Sequence, residues 1–293
     1  MPPQNGKRII VTGANSGIGW HTALELARAG AEVTLAGRSE AKAQDAAARI
    51  RRRLPNARVQ PALLDLANFT TVRAFAATAL AQTQPIDTVI NNAGIMAPPK
   101  REVTVDGFER QFATNVLGPF LLIGLLLPSL LRAPAPRIVT VSSEAHTLRG
   151  AGPLQDLNSE RDYRPMHAYA KTKLANILFT RELQRRAGDR LLAVACHPGV
   201  ADTNLPRGSI FGMRLLFRVT RPIIQTAEEG AQSVLFAAMS EQAKPGGYYG
   251  PGGFLRIRGA PVETEPSASA LDTAAGKRLF DDLERIAGIR YPL

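Results

Sequence analysis

The stretch Thr12-Gly13-Ala14-Asn15-Ser16-Gly17-Ile18-Gly19 constrains this chain more than any other, because it joins a β-branched run to a helical pattern through residues with little side-chain bulk. Arg8 to Thr12 is a short apolar run bounded by Gly6 and Gly13, and it reads as a buried strand. From Ile18 to Ala29 the period turns helical, with Ile18, Ala23, Leu26 and Ala27 on one stripe and Gly30 placed to end it. A turn without Cβ atoms lets backbone N–H groups approach a pyrophosphate at the helix N-terminus, where the helix dipole favours negative charge. Glycine-rich turns also occur as plain connections, and it is the strand before and the helix after that favour a dinucleotide here. Gly13, Asn15, Ser16, Gly17, Ile18 and Gly19 are therefore candidate cofactor-binding residues.

The next strand, Glu32 to Ala36, runs out at Gly37-Arg38-Ser39, where a ribose-binding residue is expected. An acidic residue there would bond the 2′-hydroxyl of NAD. Arg38 instead suits a 2′-phosphate, through paired charge-assisted hydrogen bonds, so NADP(H) is expected in preference to NAD(H). The competing reading makes Arg38 a solvated residue before the helix cap Ser39.

Strand and helix patterns then alternate. A helix is predicted from Ser39 to Arg53 and a strand from Val59 to Leu64, in which Pro61 cannot donate to a sheet ladder and so belongs on an edge. Asp65, followed by Leu66, stands at the cleft, either accepting from an adenine amino group or capping its turn. A helix from Thr70 to Ala81 precedes a strand from Asp87 to Ile90, which enters Asn91-Asn92-Ala93-Gly94. Asn92, Ala93 and Gly94 either touch the cofactor or shape the turn. A long helix carrying Asn115, a strand from Arg137 to Ser142, a polar connection from Glu144 to Pro165, a helix from His167 to Ala187 and a strand from Leu191 to His197 complete the pattern. This is the alternation of an α/β, doubly wound (Rossmann), mostly parallel sheet of order 3-2-1-4-5-6 in a three-layer α/β/α single domain, residues 1–293. Pro251 to Pro266 is the most loop-like stretch, and a loop-rich C-terminal extension is expected over about 251–293.

Composition narrows the class. The single cysteine, Cys196, excludes an internal disulfide and suits a reducing, cytoplasmic location. No secretory signal is visible before the first strand. The net charge of +11 is spread over many segments, with Arg51-Arg52-Arg53 the one tight run and no interleaved aromatics, so nucleic acid is not an expected partner. The apolar run Leu117 to Leu131 contains Pro119 and Pro128 and is short for a membrane span; a buried or interface helix is expected, and no integral membrane segment.

The chemistry rests on Tyr169, Lys173 and Ser143. Tyr169 and Lys173 are four apart on a predicted helix and share a face, and of five tyrosines this alone has lysine at the fourth position. A free phenol titrates at about 10, and a neighbouring ammonium favours its anion. Tyr169 would then give or take a proton at a substrate oxygen, Ser143 at the end of its strand would hydrogen-bond that oxygen, and Lys173 reaches toward a nicotinamide ribose.

Thr12-Gly13-x3-Gly17-x-Gly19, Asn91-Asn92-Ala93-Gly94, Asn115, Ser143, Tyr169-x3-Lys173 and Pro198-Gly199 together resemble the short-chain dehydrogenase/reductase superfamily over nearly the whole chain. Tyr169 to Asn176 and His197-Pro198-Gly199-Val200 resemble its retinol-dehydrogenase-like branch. The resemblance implies an enzyme that transfers a hydride between NADP(H) and an alcohol, aldehyde or ketone, with a small apolar molecule as substrate and no metal. It implies catalytic roles for Ser143, Tyr169 and Lys173, a water-linked proton relay supported by Asn115, and cofactor contacts from Tyr169, Lys173, Pro198, Gly199, Val200 and Thr203. It also implies a mobile substrate lid, here about 204–225 and rich in large apolar residues, and a possible homodimer that pairs the asparagine helix with the tyrosine helix. Burial against the chain's own sheet would explain the apolar asparagine helix equally well. Trp20 departs from the branch, which often has lysine there, and the membrane-anchoring N-terminal segment of some retinoid enzymes is not expected here, so a retinoid substrate is not implied. The alternative from another class is a non-catalytic NADP-binding or redox-sensing protein, which would have no need of Tyr169 and Lys173. A sugar-nucleotide epimerase would call for a different glycine spacing.

Overall fold

A computed structural model describes residues 2–148, 154, 156–199, 225–253 and 256–293. The expected alternation is present: β1 (Arg8–Thr12), α1 (Gly17–Arg28), β2 (Glu32–Gly37), α2 (Glu40–Arg53), β3 (Val59–Leu63), α3 (Phe69–Leu80), β4 (Thr88–Asn91), α4 (Arg110–Leu130), β5 (Arg137–Val141), α5 (Pro165–Ala187) and β6 (Leu192–Cys196). Beyond the residues 200–224 lie α6 (Ala227–Met239), β7 (Tyr248–Pro251), β8 (Pro261–Glu263), α7 (Ala268–Leu271) and α8 (Thr273–Ala287). The proposed lid, about 204–225, and the candidate cofactor residues Val200 and Thr203 lie outside the described residues, apart from Gln225.

The strands form one sheet in the order β3-β2-β1-β4-β5-β6-β7-β8. All neighbours are parallel except β8, which pairs antiparallel to β7. Pro61 sits opposite Leu35 on the edge strand β3, where a missing N–H costs no ladder bond. Two apolar cores cover the two faces. One packs α1, α2 and α6 through Leu24, Ile50 and Val234; the other packs α3, α4, α5 and α8 through Val72, Phe120, Leu174 and Phe280.

The C-terminal part differs from the loop-rich extension expected from composition. Just ahead of it the run Tyr248-Tyr249-Gly250-Pro251 forms the buried strand β7, because β6 offers it a parallel partner, and β8 follows within the expected loop. Further on, α8 starts at Asp272, whose carboxylate accepts from Ala275 N at 2.9 Å, and ends at Gly288 in the left-handed region. Its apolar stripe, Leu279, Phe280, Leu283 and Ala287, lies on α4 and α5. Phe280 meets Phe120 and Phe179 at ring separations of 5.1 and 5.9 Å, and the Tyr291 hydroxyl donates to the Phe120 carbonyl at 2.6 Å.

This covering accounts for the composition of α4. Its sequence is long and apolar enough to cross a membrane, yet 83% of that window is buried within the fold. Leu121, Leu122, Leu126 and Leu127 are buried, and the chain's own C-terminal helix packs in the same core, which fits the reading of burial within the fold.

Candidate active site

The order of strands reverses between β1 and β4, which opens a crevice beyond their C-terminal ends where doubly wound sheets bind ligands. Thr12, the last residue of β1, stitches the crevice floor. Its hydroxyl accepts from Asn92 N at 3.1 Å and Ala93 N at 3.0 Å, and its carbonyl accepts from Asn92 Nδ2 at 2.8 Å. Asn92 is thus engaged in building the turn, and so is Ala93. Asp65 is similarly committed, its Oδ1 accepting from Ala67 N at 3.0 Å, which favours the turn-capping reading over an adenine contact. Leu66 is buried, with its carbonyl against Gly118.

The glycine turn has the form a pyrophosphate requires. Gly13 has φ +68°, and a Cβ on it would come within 2.9 Å of the Ala93 backbone. A Cβ on Gly19 would run into the Gly13 carbonyl and the Asn92 side chain. At α1 the cap residue Ser16 makes no side-chain capping bond and the first turn has no acidic residue, so the N–H groups are not neutralised from within the chain. Ile18 is buried and anchors that turn in the core. Arg38 is exposed immediately after β2, and the neighbouring Gly37 would bring a Cβ to 3.6 Å from Asn15 Oδ1. Asn15 thus lies beside the C-terminal end of β2, next to the exposed Arg38. The uncapped N–H groups and the glycine turn fit the pyrophosphate of a dinucleotide.

Trp20, where a cation was to be expected, has its own function in the packing. Its indole donates to the Ala46 carbonyl at 3.2 Å, and the guanidinium carbons of Arg49 and Arg53 each lie 4.9 Å from the ring centroid. Arg49 also donates to the Asn15 carbonyl at 2.7 Å. Positive charge beside the glycine turn thus comes from α2, around a cavity of 560 Å³ that includes Ser16 and Gly17. The spacing of Trp20, Arg49 and Arg53 gave no sign of this. A larger cavity of 1040 Å³ opens between α5 and α8, through Leu178 and Leu279, and its lining does not include Tyr169 or Lys173.

At the other end of the crevice α4 loosens into a π turn, Ala113–Leu117, centred on Asn115. Its side chain is fully engaged: Oδ1 accepts from Ile95 N at 2.9 Å, while Nδ2 donates to the Ile95 carbonyl and the Thr172 hydroxyl, both at 3.0 Å. A Cβ on Gly94 would lie 3.3 Å from Asn115 Oδ1 and 3.5 Å from Lys173 Nζ, so these three residues meet. Lys173 donates to the Val141 carbonyl at 3.0 Å, and the Ser142 hydroxyl donates to the Lys173 carbonyl at 2.7 Å, locking α5 to the end of β5. Ser143 caps a short 3₁₀ turn, Glu144–Thr147, its Oγ accepting from Ala145 N at 3.2 Å. That bond uses an acceptor lone pair and leaves the hydroxyl hydrogen to point elsewhere.

Tyr169 is half-buried, with Lys173 Nζ 5.6 Å from its ring centroid. Burial pushes the phenol up to about 12, against a smaller lowering by the Ser143 hydroxyl. Burial also pushes Lys173 down to about 8. The expectation that Lys173 lowers the Tyr169 phenol is therefore not met by the protein's own groups: the ammonium is turned to the Val141 carbonyl, and desolvation outweighs it. On the far side, Gly199 has φ +70° and donates from its N–H to His197 Nδ1 at 3.3 Å, which fixes the turn containing Pro198.

Ser143, Tyr169, Lys173 and Asn115 are thus gathered at one end of a crevice whose other end holds the glycine turn and Arg38. The family model of the short-chain dehydrogenases matches residues 7–209. Human retinol dehydrogenase 12 is 44% identical over 241 residues, 82% of this chain and 75% of that protein. The crystal structure of an uncharacterized protein from Mycobacterium paratuberculosis superposes with a TM-score of 0.81 at 37% identity, covering 100% of this chain and 97% of its own. A short-chain dehydrogenase from Escherichia coli CFT073 in complex with NADPH superposes at 0.65 with 26% identity, covering 83% and 95%. The chain belongs to the short-chain dehydrogenase family, in its retinol-dehydrogenase-like branch.

Proposed function

We propose that the protein is an NADP(H)-dependent oxidoreductase acting on the alcohol or carbonyl group of an apolar small molecule. The observation that carries the reading is the meeting of Tyr169, Lys173, Asn115 and Ser143 at the crevice that also contains the uncapped glycine turn. When bound, the nicotinamide supplies or accepts the hydride. In reduction, the Ser143 hydroxyl donates a hydrogen bond to the substrate oxygen, which polarises the carbonyl, and the Tyr169 hydroxyl delivers the proton as that oxygen becomes an alkoxide. Lys173 restores the phenol proton, with Asn115 shaping the backbone of the relay. Oxidation runs the same transfers in reverse.

The exposed guanidinium of Arg38 beside Asn15 supports NADP(H), as does the NADPH complex of the Escherichia coli relative. An apolar substrate is supported by the retinol dehydrogenases among the relatives and by the many large apolar side chains of 204–225. A reducing, cytoplasmic setting is part of the proposal, supported by the lone buried Cys196. The test is turnover of a panel of aldehydes, ketones and alcohols of graded chain length, followed by NADPH absorbance. Efficiency should rise with each added methylene, by at most the roughly 0.8 kcal/mol that burying one supplies. Tight NADPH binding with no turnover of any member would favour a sensor instead, and a flat series would remove the apolar substrate.

A further inference from the structure

We propose that His146 is a positioning residue for Ser143: a neutral imidazole with its proton on Nδ1, which holds the Ser143 carbonyl and, through Nε2, ties the catalytic turn to the C-terminal segment at Ser267. The inference rests on the role given to Ser143 above.

His146 is buried and stands three residues after Ser143 in the 3₁₀ turn. The Ser143 carbonyl accepts twice from it, from the backbone N–H at 3.1 Å and from ring Nδ1 at 2.7 Å. A carbonyl cannot donate, so a contact of that length places the ring hydrogen on Nδ1. Nε2 is then a lone pair, and it is met by Ser267 N–H at 3.1 Å. Protonation would set a second hydrogen against that N–H, so the surroundings select the neutral ring. One residue of the catalytic turn is in this way held from a segment that follows β8, far along the chain.

The packing around His146 reinforces the arrangement. Tyr248 presents its ring edge-on to His146 at 5.4 Å and lies tilted against His197 at 5.2 Å. His197 Nδ1 accepts from Gly199 N, which leaves its hydrogen on Nε2, 3.1 Å from Glu144 Oε1. Arg256 faces the same oxygen at 3.8 Å. Glu144 and Arg256 are thus the charged groups beside the two rings. Burial lowers His146 from its ordinary range, and burial, with His146 and Arg256 beside it, lowers His197 to about 3. Both imidazoles are neutral at physiological pH, one bonded to Ser143 and the other facing the carboxylate of the next residue.

Imidazole nitrogen NMR on the full chain tests the tautomer without reference to activity. A neutral ring with hydrogen on Nδ1 at pH ~6, below its ordinary pKa of about 6.5, is expected; hydrogen on Nε2, or a protonated ring at that pH, overturns the proposal. In kinetics, His146→Leu should lower kcat by ~10- to 100-fold with cofactor Kd unchanged, the scale of loss that a displaced catalytic group produces. His146→Asn, which keeps a donor for the Ser143 carbonyl, should recover most of it. Wild-type kcat in a folded His146→Leu protein overturns the proposal. Should that variant fail to fold, Ser267→Pro removes the N–H together with the Ser267 hydroxyl, which has no hydrogen-bond partner among the described residues, at a φ of −59° that proline adopts. His146 should then titrate closer to its ordinary value, with the acid limb of kcat moving up in pH; an unchanged titration overturns the link to the C-terminal segment. If the wild-type protein turns over no carbonyl compound, the activity reading fails, while the tautomer and the Ser267→Pro titration still decide the hydrogen bonds.

Discussion

Lys173 is subject to opposing demands: burial disfavours its charge, while its proposed role needs it. With its pKa pushed down to about 8, it is still mostly protonated at neutral pH, and the Val141 carbonyl holds the ammonium in place. Tyr169, pushed up to about 12, is a proton donor first, which suits delivery of a proton to a developing alkoxide. Tyr169→Phe is therefore expected to abolish turnover and leave cofactor affinity intact, whereas Lys173→Ala should damage both; steady-state kinetics with cofactor titrations separate the two, and full activity in Tyr169→Phe would sink the mechanism. Arg38→Ala should weaken NADP(H) by about one to two decades, the equivalent of roughly 1.5–3 kcal/mol for a charge-assisted contact, and NAD(H) little. Equal losses for both cofactors would show that Arg38 does not read the phosphate. The pairing of Tyr169 with Lys173 was legible because a four-residue step on a helix is local. The upward shift of the phenol was not, because it comes from burial that only the folded chain defines. Nor was the placement of His146 and His197 on either side of Tyr248, three residues from three separate elements.

Helix α4 shows what an element's composition can and cannot tell. Its leucines announced burial, but burial against a sheet, a second copy or a membrane looks the same in one dimension. The deciding partner is α8, whose cap Asp272, stripe Leu279-Phe280-Leu283-Ala287 and terminal Gly288 were themselves readable signals, overshadowed by the proline- and glycine-rich stretch before them. Because α8 and Tyr291 lie across α4 and α5, the full chain should scatter light as a monomer at micromolar concentration; a dimer would mean that pairing uses another face or that α8 lifts. The other side of α4 is equally close-fitting. A Cβ on Gly118 would collide with the Leu66 carbonyl, a backbone atom that cannot swing aside. Alanine ordinarily gains about 1 kcal/mol over glycine within a helix. Here Gly118→Ala should instead destabilise, with overpacking of about 1–3 kcal/mol deciding the sign. A urea midpoint equal to or above that of the wild type would show that the Leu66 turn yields.

For the molecule as a whole, the alternation of strands and helices made the order of the first six strands legible, with Pro61 pointing to the edge. The last two strands were not, since Tyr248–Pro251 is too short a run to stand out until β6 is there to pair with it. That late addition also buries His197 and His146 against Tyr248, with a consequence for stability. His197, fully buried, is held at about 3 and His146 below its ordinary 6.5, both chiefly by desolvation. A group that binds its proton more weakly when folded leaves the unfolded chain with more protons below the unfolded pKa, so stability rises with pH there and is lost as pH falls. The slope is at most about 1.4 kcal/mol per pH unit for each histidine. His21 is lowered by burial in the same direction, but it is partly exposed and adds less. Glu109, raised by burial, works against the trend. The interval from pH ~5 to ~6.5 lies above most carboxylates and spans the titration of free imidazoles. Urea unfolding across it should give a free energy that climbs with pH, and His197→Asn should remove a large part of the slope. A wild-type curve flat across that interval would mean that the two rings accept protons in the folded state, and that their neutral arrangement against Ser143 and Glu144 is not enforced by the fold.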